Sequence, residues 1–187
     1  MTELEQYVNS YFGVAEAGEL AEISSLFKPE MIKKGDYFLL TGKAADRLSF
    51  IQTGILRVFV ETANKEVTQW ISTKGSFITD LSGFIFEKPA RWTIQALTDT
   101  VLFTIKREDY KKIGVLMPKW HELEKLFIAR CFITIEDRIF THLSMTAEER
   151  YALFFEQNKS LFNEVPLQYI ASMLGMTPET LSRIRKK

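Results

Sequence analysis

The chain is poor in the residues that most metal and covalent chemistry needs. It has one cysteine, Cys131, so no internal disulfide framework and no cysteine-held iron–sulfur cluster can form. Its two histidines, His121 and His142, both fall in a stretch read below as a single helix, outside the strand-rich part where a metal-binding jelly roll would need them. Excess charge is missing too. The 24 basic and 24 acidic side chains cancel, so any attraction to nucleic acid or to a membrane has to come from a local patch. No apolar run approaches a membrane span, and the opening MTELEQYVNSYF lacks the basic-then-apolar order of an export signal. Internal repeats and low-complexity tracts are absent. The expectation is a soluble cytoplasmic protein, with no enzymatic activity, no cofactor, no metal and no membrane partner. What is present suffices for a substantial core: 46% of the 187 residues are hydrophobic and 13% aromatic.

Periodicity divides the chain. Leu4, Val8 and Tyr11, then Leu20, Ile23 and Phe27, recur at helical spacing, which predicts two short helices before Pro29. From Met31 to about Lys106 the pattern changes to short runs rich in β-branched and aromatic residues: LSFIQ, ILRVFVE, VTQWIS, WTIQAL and VLFTI. Gly35, Gly42, Gly54 and Gly75 punctuate them, where turns often need positive φ. Many short strands at this spacing predict a sandwich or barrel, with a jelly roll as the natural member. Trp92 and Phe84 read as core, and Lys33-Lys34 and Lys111-Lys112 as solvated turns.

Helix returns after KREDYKKIGVLMP. From Lys119 to Leu143 nothing breaks it, and two apolar stripes run along it. Leu126, Ala129, Ile133, Phe140 and Leu143 follow a heptad-like seam interrupted by Glu136; Ile128, Phe132, Ile135 and Ile139 form a second stripe. One stripe packs a helix on its own domain; a second needs another partner. The β domain, the C-terminal segment or a second copy of the chain would serve. A homodimer seam is the preferred reading and internal packing the other. Cys131, mid-helix, reads as a small buried hydrophobe rather than a redox sensor.

The segment from Ala147 to Lys187 reads as helical except around Asn163 to Pro166. Its last twenty residues, QYIASMLGMTPETLSRIRKK, carry the most specific pattern. Ile170 and Leu174 share a face with the small Ala171 beside them, and Gly175 supplies a left-handed helix end. Thr177 is a good N-cap, with Pro178 at the first helical position, where a missing N–H costs nothing. Leu181 and Ile184 face inward. Glu179, Arg183 and Lys186 recur at i, i+4, i+7 on the opposite side, flanked by Thr180 and Ser182. An Ala, a Gly four residues on, and aliphatics six and nine residues after the Gly are the spacing of a helix-turn-helix. The outer stripe holds residue types that meet bases and phosphates in a major groove. From Thr177 to Lys187 four basic residues face one acidic residue, a local excess on a neutral chain. The plain alternative is a helical hairpin whose solvated face holds a Glu179–Arg183 ion pair.

A glycine-punctuated β domain, a two-striped long helix and this tail together resemble the Crp/Fnr family of bacterial transcription regulators. The resemblance runs through KKGDYFLLTGKAADRLSFIQTGILRVFV, GSFITDLSGFIFEKPARWTIQAL and, most specifically, IASMLGMTPETLSRI. It is similar to a short branch frequent in Bacteroidetes. The resemblance implies an α+β protein: an N-terminal jelly roll of the cyclic-nucleotide-binding type with its leading helices over 1–117, a dimerisation helix over 118–145, and an all-α helix-turn-helix domain over 146–187. Implied partners are double-stranded operator DNA, a second copy of the chain along Leu126, Ala129, Ile133 and Phe140, RNA polymerase, and a small-molecule effector of unknown identity. On the recognition helix Glu179, Thr180 and Arg183 match the DNA-contacting positions, with Thr177, Ser182, Arg185 and Lys186 as further candidates.

The sequence also departs from the family. Pro178 stands where members often have an arginine, so one base or phosphate contact is missing. The strands many members place after the recognition helix are expected to be missing beyond Lys187. Nucleotide-binding members hold a cyclic phosphate with a Gly-Glu-Leu turn and an Arg-Ser/Thr-Ala segment; here these places read Thr79-Asp80-Leu81 and Ala90-Arg91-Trp92. The glycine and the in-register arginine are gone, and Arg91, displaced by one place, would point to the other face of a strand. The expected function is a Crp/Fnr-type DNA-binding regulator whose sensor domain does not bind cyclic AMP. The alternative is an effector- or partner-binding protein whose truncated tail no longer reads DNA.

Overall fold

The computed structural model describes residues 1–14 and 16–186. In chain order these form α1 (Glu3–Phe12), α2 (Ala17–Ser25), β1 (Lys28–Ile32), β2 (Tyr37–Leu39), β3 (Arg47–Thr53), β4 (Leu56–Glu61), β5 (Glu66–Ser72), β6 (Phe77–Ile78), α3 (Leu81–Phe86), β7 (Thr93–Ala96), β8 (Thr100–Lys106), α4 (Arg107–Leu116), α5 (Trp120–Ser144), α6 (Ala147–Gln157), α7 (Leu161–Glu164), α8 (Leu167–Met173) and α9 (Pro178–Arg185). The eight strands make two antiparallel four-stranded sheets in the orders β1-β8-β3-β6 and β2-β7-β4-β5, the interleaving of a jelly roll.

Alternation along the strands separates three cores. Ile51, Ile78 and Leu102 from the first sheet meet Leu56, Val58 and Ile94 from the second inside the sandwich. One residue out of phase, Leu48, Phe50 and Ile105 face the other way and pack under α1, α2, α4 and the start of α5. Ile55 and Ile71 point outward from the second sheet and join the C-terminal helices around Phe162, Ile170 and Leu181. A two-residue period therefore puts one sheet against the N-terminal helices and the other against the C-terminal ones.

The turns follow from glycine where the backbone leaves no choice. Gly54, between β3 and β4, has φ of +98°, and a Cβ there would stand 2.7 Å from the Asp99 carbonyl oxygen. Both the dihedral and the close approach require glycine. Pro29 lies inside β1 rather than ahead of it, which is tolerated because β1 is an edge strand with one side free of ladder bonds.

Three helical features depart from the sequence reading. The stretch Arg107–Leu116 is itself helical, so helix begins before Pro118 and Lys111-Lys112 lie on α4, paired with Glu87 and Asp109 at 2.7 and 2.6 Å. The short α3 was hidden inside a strand-rich region. In the tail Asn163 and Glu164 are helical within α7, so the expected break narrows to Val165 and Pro166, and a further break falls near Asn158 to Ser160. Among the described residues no helix is long and apolar enough to cross a membrane.

Candidate nucleic-acid interface and effector site

The tail is built as two helices around one glycine. Gly175 has φ of +69°, and its N–H donates to the Ser172 carbonyl at 3.1 Å, closing the end of α8. Thr177 then caps α9: its hydroxyl accepts the Thr180 N–H at 3.2 Å and Pro178 takes the first helical position. Ile170, Ala171, Leu174, Leu181 and Ile184 are all buried, so the small Ala171 lies at the packed face.

On the outside Glu179, Ser182, Arg183 and Lys186 share one exposed face of α9. Among the described residues nothing covers that face. Thr177 and Thr180 are engaged with each other in the cap, their hydroxyls 3.3 Å apart. Arg185 leans away from the stripe, its guanidinium 5.9 Å from the Phe162 ring centre. Lys187 lies outside the described residues. The Glu179 carboxyl is held below the usual carboxylate range by its own backbone N–H and the Thr177 hydroxyl, and no Glu179–Arg183 ion pair appears among the described residues. The face therefore presents Arg183 and Lys186 unpaired.

Two arginines that sequence reasoning missed fix this unit to the rest of the chain. Arg138 of α5 donates to the Met173 carbonyl at 3.1 Å, and Arg150 of α6 donates to the Leu174 carbonyl at 3.0 Å and to the Met145 carbonyl at 2.6 Å. Cations thus sit on the carbonyl end of α8, where the helix dipole favours them. Arg138 also stands 4.7 Å from the ring centre of Trp70 on β5, and desolvation by these neighbours lowers its pKa from the ordinary arginine value. Arg138 continues the line of Trp120, Phe127 and Cys131 at spacings of seven and four, which was the available signal.

On α5 the side that packs is neither stripe. Trp120 and Phe127 are buried, with Leu123 and Cys131 partly covered beside them in the N-terminal core. The seam residues are exposed: Leu126 at 45%, Ile133 at 55%, Phe140 at 70% and Leu143 at 81%. The second stripe is open as well, with Phe132 at 60% and Ile139 at 55%. Among the described residues, neither the β domain nor the C-terminal helices cover them. Internal packing therefore does not account for the stripes. Ala129 lies exposed among them.

The six effector-pocket candidates come together around the start of α3, but as a filled site. Asp80 is the N-cap of α3, with its side chain fully buried. Its carboxylate accepts the Gly83 N–H at 2.9 Å and the Arg91 N–H at 2.6 Å, with the Arg91 Nε 3.7 Å away. Thr79 donates its hydroxyl to the Arg47 carbonyl at 2.9 Å. Leu81 is exposed, Ala90 is buried, and Trp92 packs against the sandwich core. Arg91 is on no strand: it occupies a bend ahead of β7, its side chain 60% exposed. The strand-face argument for Arg91 thus fails, because a bend has no two-residue alternation; what directs the side chain is Asp80. Among the described residues no three His, Cys, Asp or Glu side chains gather as a metal site.

Residues 29–114 match the family described as the cyclic nucleotide-binding domain. No curated protein matches the chain. Solved structures do. FixK2 from Bradyrhizobium japonicum is 20% identical, over 86% of this chain and 83% of its own, with a TM-score of 0.73. A CooA mutant from Carboxydothermus hydrogenoformans is 19% identical, over 99% and 83%, with a TM-score of 0.66. The catabolite activator protein of Thermus thermophilus is 20% identical, over 94% and 84%, with a TM-score of 0.60. The family match is confined to residues 29–114, and the fold of the chain is shared with these three proteins.

Proposed function

We propose that the protein is a homodimeric, DNA-binding transcription regulator of the Crp/Fnr type, in which α8 and α9 are the helix-turn-helix and α9 enters the major groove. The observation that carries this reading is the outer face of α9. Arg183 and Lys186 stand exposed and unpaired on a helix whose opposite face is locked into the core, so the charges cost little to align with a duplex. The apolar stripes of α5 supply the second copy: side chains this large and exposed along one helix are what a coiled-coil partner covers. A two-fold dimer would present two copies of α9 to two half-sites.

The sensor domain does not bind cyclic AMP in this reading. Asp80 already fills the N-terminus of α3 with a buried carboxylate, so the N–H groups an incoming phosphate would use are spent on a charge of its own sign. The test is selection from a random duplex pool followed by calorimetry with cyclic AMP. Recovery of a two-fold symmetric sequence, with no heat of cyclic AMP binding, is expected. Failure to enrich any sequence favours a partner-binding protein without DNA readout, and micromolar cyclic AMP binding contradicts the sensor assignment.

A further inference from the structure

A cleft of about 630 Å³ separates the β4–β5 hairpin from the α8–α9 unit. Arg57, Lys65 and Val67 line one side; Gln168, Tyr169 and Met176 line the other. Arg57 is the unusual member. Its side chain is 2% exposed, with the guanidinium between two rings, 4.1 Å from the centre of Phe59 and 3.6 Å from that of Tyr169. Its Nε donates to the Thr68 hydroxyl at 2.9 Å and its Nη1 to the Glu66 carboxylate at 2.7 Å. Glu66, by contrast, keeps 48% of its side chain in solvent. A cation buried this deeply needs an anion beside it at all times. Here that anion comes from a half-exposed side chain on an edge strand.

We propose that this cleft is the effector site, and that it takes a small carboxylate with an apolar body whose carboxylate replaces that of Glu66 on Arg57. Exchanging one carboxylate for another leaves the charge balance of the buried guanidinium nearly unchanged, and the planar fork of arginine suits a carboxylate. The net gain comes from the body of the ligand against Tyr169, Val67 and Met176, with Lys65 adding positive charge at the hairpin. The volume lies within the range of small-molecule sites. A ligand held here touches β5 and α8 together. It therefore favours the arrangement in which the Thr68 N–H donates to the Ser172 hydroxyl at 2.9 Å and α8 covers the edge of β5. The effector role rests on the regulator reading above; the binding step does not.

The experiment titrates the full chain with benzoate, with acetate and inorganic phosphate as comparison anions, following calorimetry and melting temperature. Benzoate is expected to saturate and to raise the melting temperature, while acetate and phosphate bind at least about tenfold more weakly. Glu66→Gln removes the competing charge and should tighten benzoate several-fold. Arg57→Lys, which loses the planar fork, should weaken it by about tenfold or more. Should Arg57→Lys fail to fold, Tyr169→Leu replaces it, with the same direction expected from the lost ring. Absence of saturable benzoate binding, phosphate binding as tightly as benzoate, or benzoate affinity unchanged by Glu66→Gln would overturn the proposal. DNA is not used, so a chain that binds benzoate but no duplex refutes the regulator reading alone.

Discussion

Asp80 shows how one side chain changes what a turn can do. Its carboxylate is at once the cap of α3 and the acceptor for the Arg91 N–H, and it is fully buried. Asp80→Ala leaves both donors without a partner, which should lower stability by roughly 2–4 kcal/mol in denaturant unfolding. Loss of less than a few tenths of that would mean that water reaches the turn. Leu181, wholly buried under α9, makes the matching case in the tail. Leu181→Ala should cost about 2–5 kcal/mol and open α8 and α9 to amide exchange ahead of the sandwich. At this scale the sequence was legible where the signal is local: Gly175, the Thr177 cap and Pro178 all act within a few residues of themselves. It was opaque for Asp80, Arg57, Arg138 and Arg150, because their partners lie on other elements and no spacing rule announces such meetings.

Among the elements, α5 carries the clearest consequence of pattern. Both apolar stripes were readable from spacing, and both remain open, with Ile133 at 55% and Phe140 at 70% exposure. The packed line of buried Trp120 and Phe127 with the partly covered Cys131 was not legible, since two stronger stripes masked it. Phe140→Glu should leave the melting temperature of the isolated chain within a few degrees and shift the molecule from dimer to monomer at micromolar concentration by light scattering. A wild-type chain that is monomeric under those conditions would refute the seam. The strands from LSFIQ to VLFTI were legible through β-branched runs, whereas α3 and α4 were not. A six-residue helix is too short to show a helical period, and α4 mixes charge with a single buried edge at Tyr110 and Ile113. Helix α6 adds a pH-dependent element. The backbone N–H and hydroxyl of Thr146 hold the Glu149 carboxyl below its ordinary pKa. This cap stabilises the fold above the unfolded pKa and is lost as pH falls through the lowered folded value. Glu149→Gln should therefore flatten the acid side of the stability profile slightly.

Over the whole molecule, the second sheet and the C-terminal helices form one continuous contact. Ile55 and Ile71 pack with Phe162 and Ile170, and Ser172 closes the free edge of β5 at Thr68. Covering an edge strand with a helix protects it from pairing with other chains, and it also ties the position of α9 to the β4–β5 hairpin. None of this docking could be read from the sequence, because it depends on which faces two independently patterned segments present to each other. The central claim is that α9 reads DNA through Arg183 and Lys186. Its most direct test is equilibrium binding to a selected duplex across a series of salt concentrations, for the wild type, Arg183→Ala and Lys186→Ala. The account predicts that Arg183→Ala loses on the order of 1–3 kcal/mol and relaxes the preference at one base of each half-site. It predicts that Lys186→Ala weakens all duplexes alike and reduces the salt slope by about one counterion per bound subunit. Unchanged affinity, sequence preference and salt slope in both variants would contradict it.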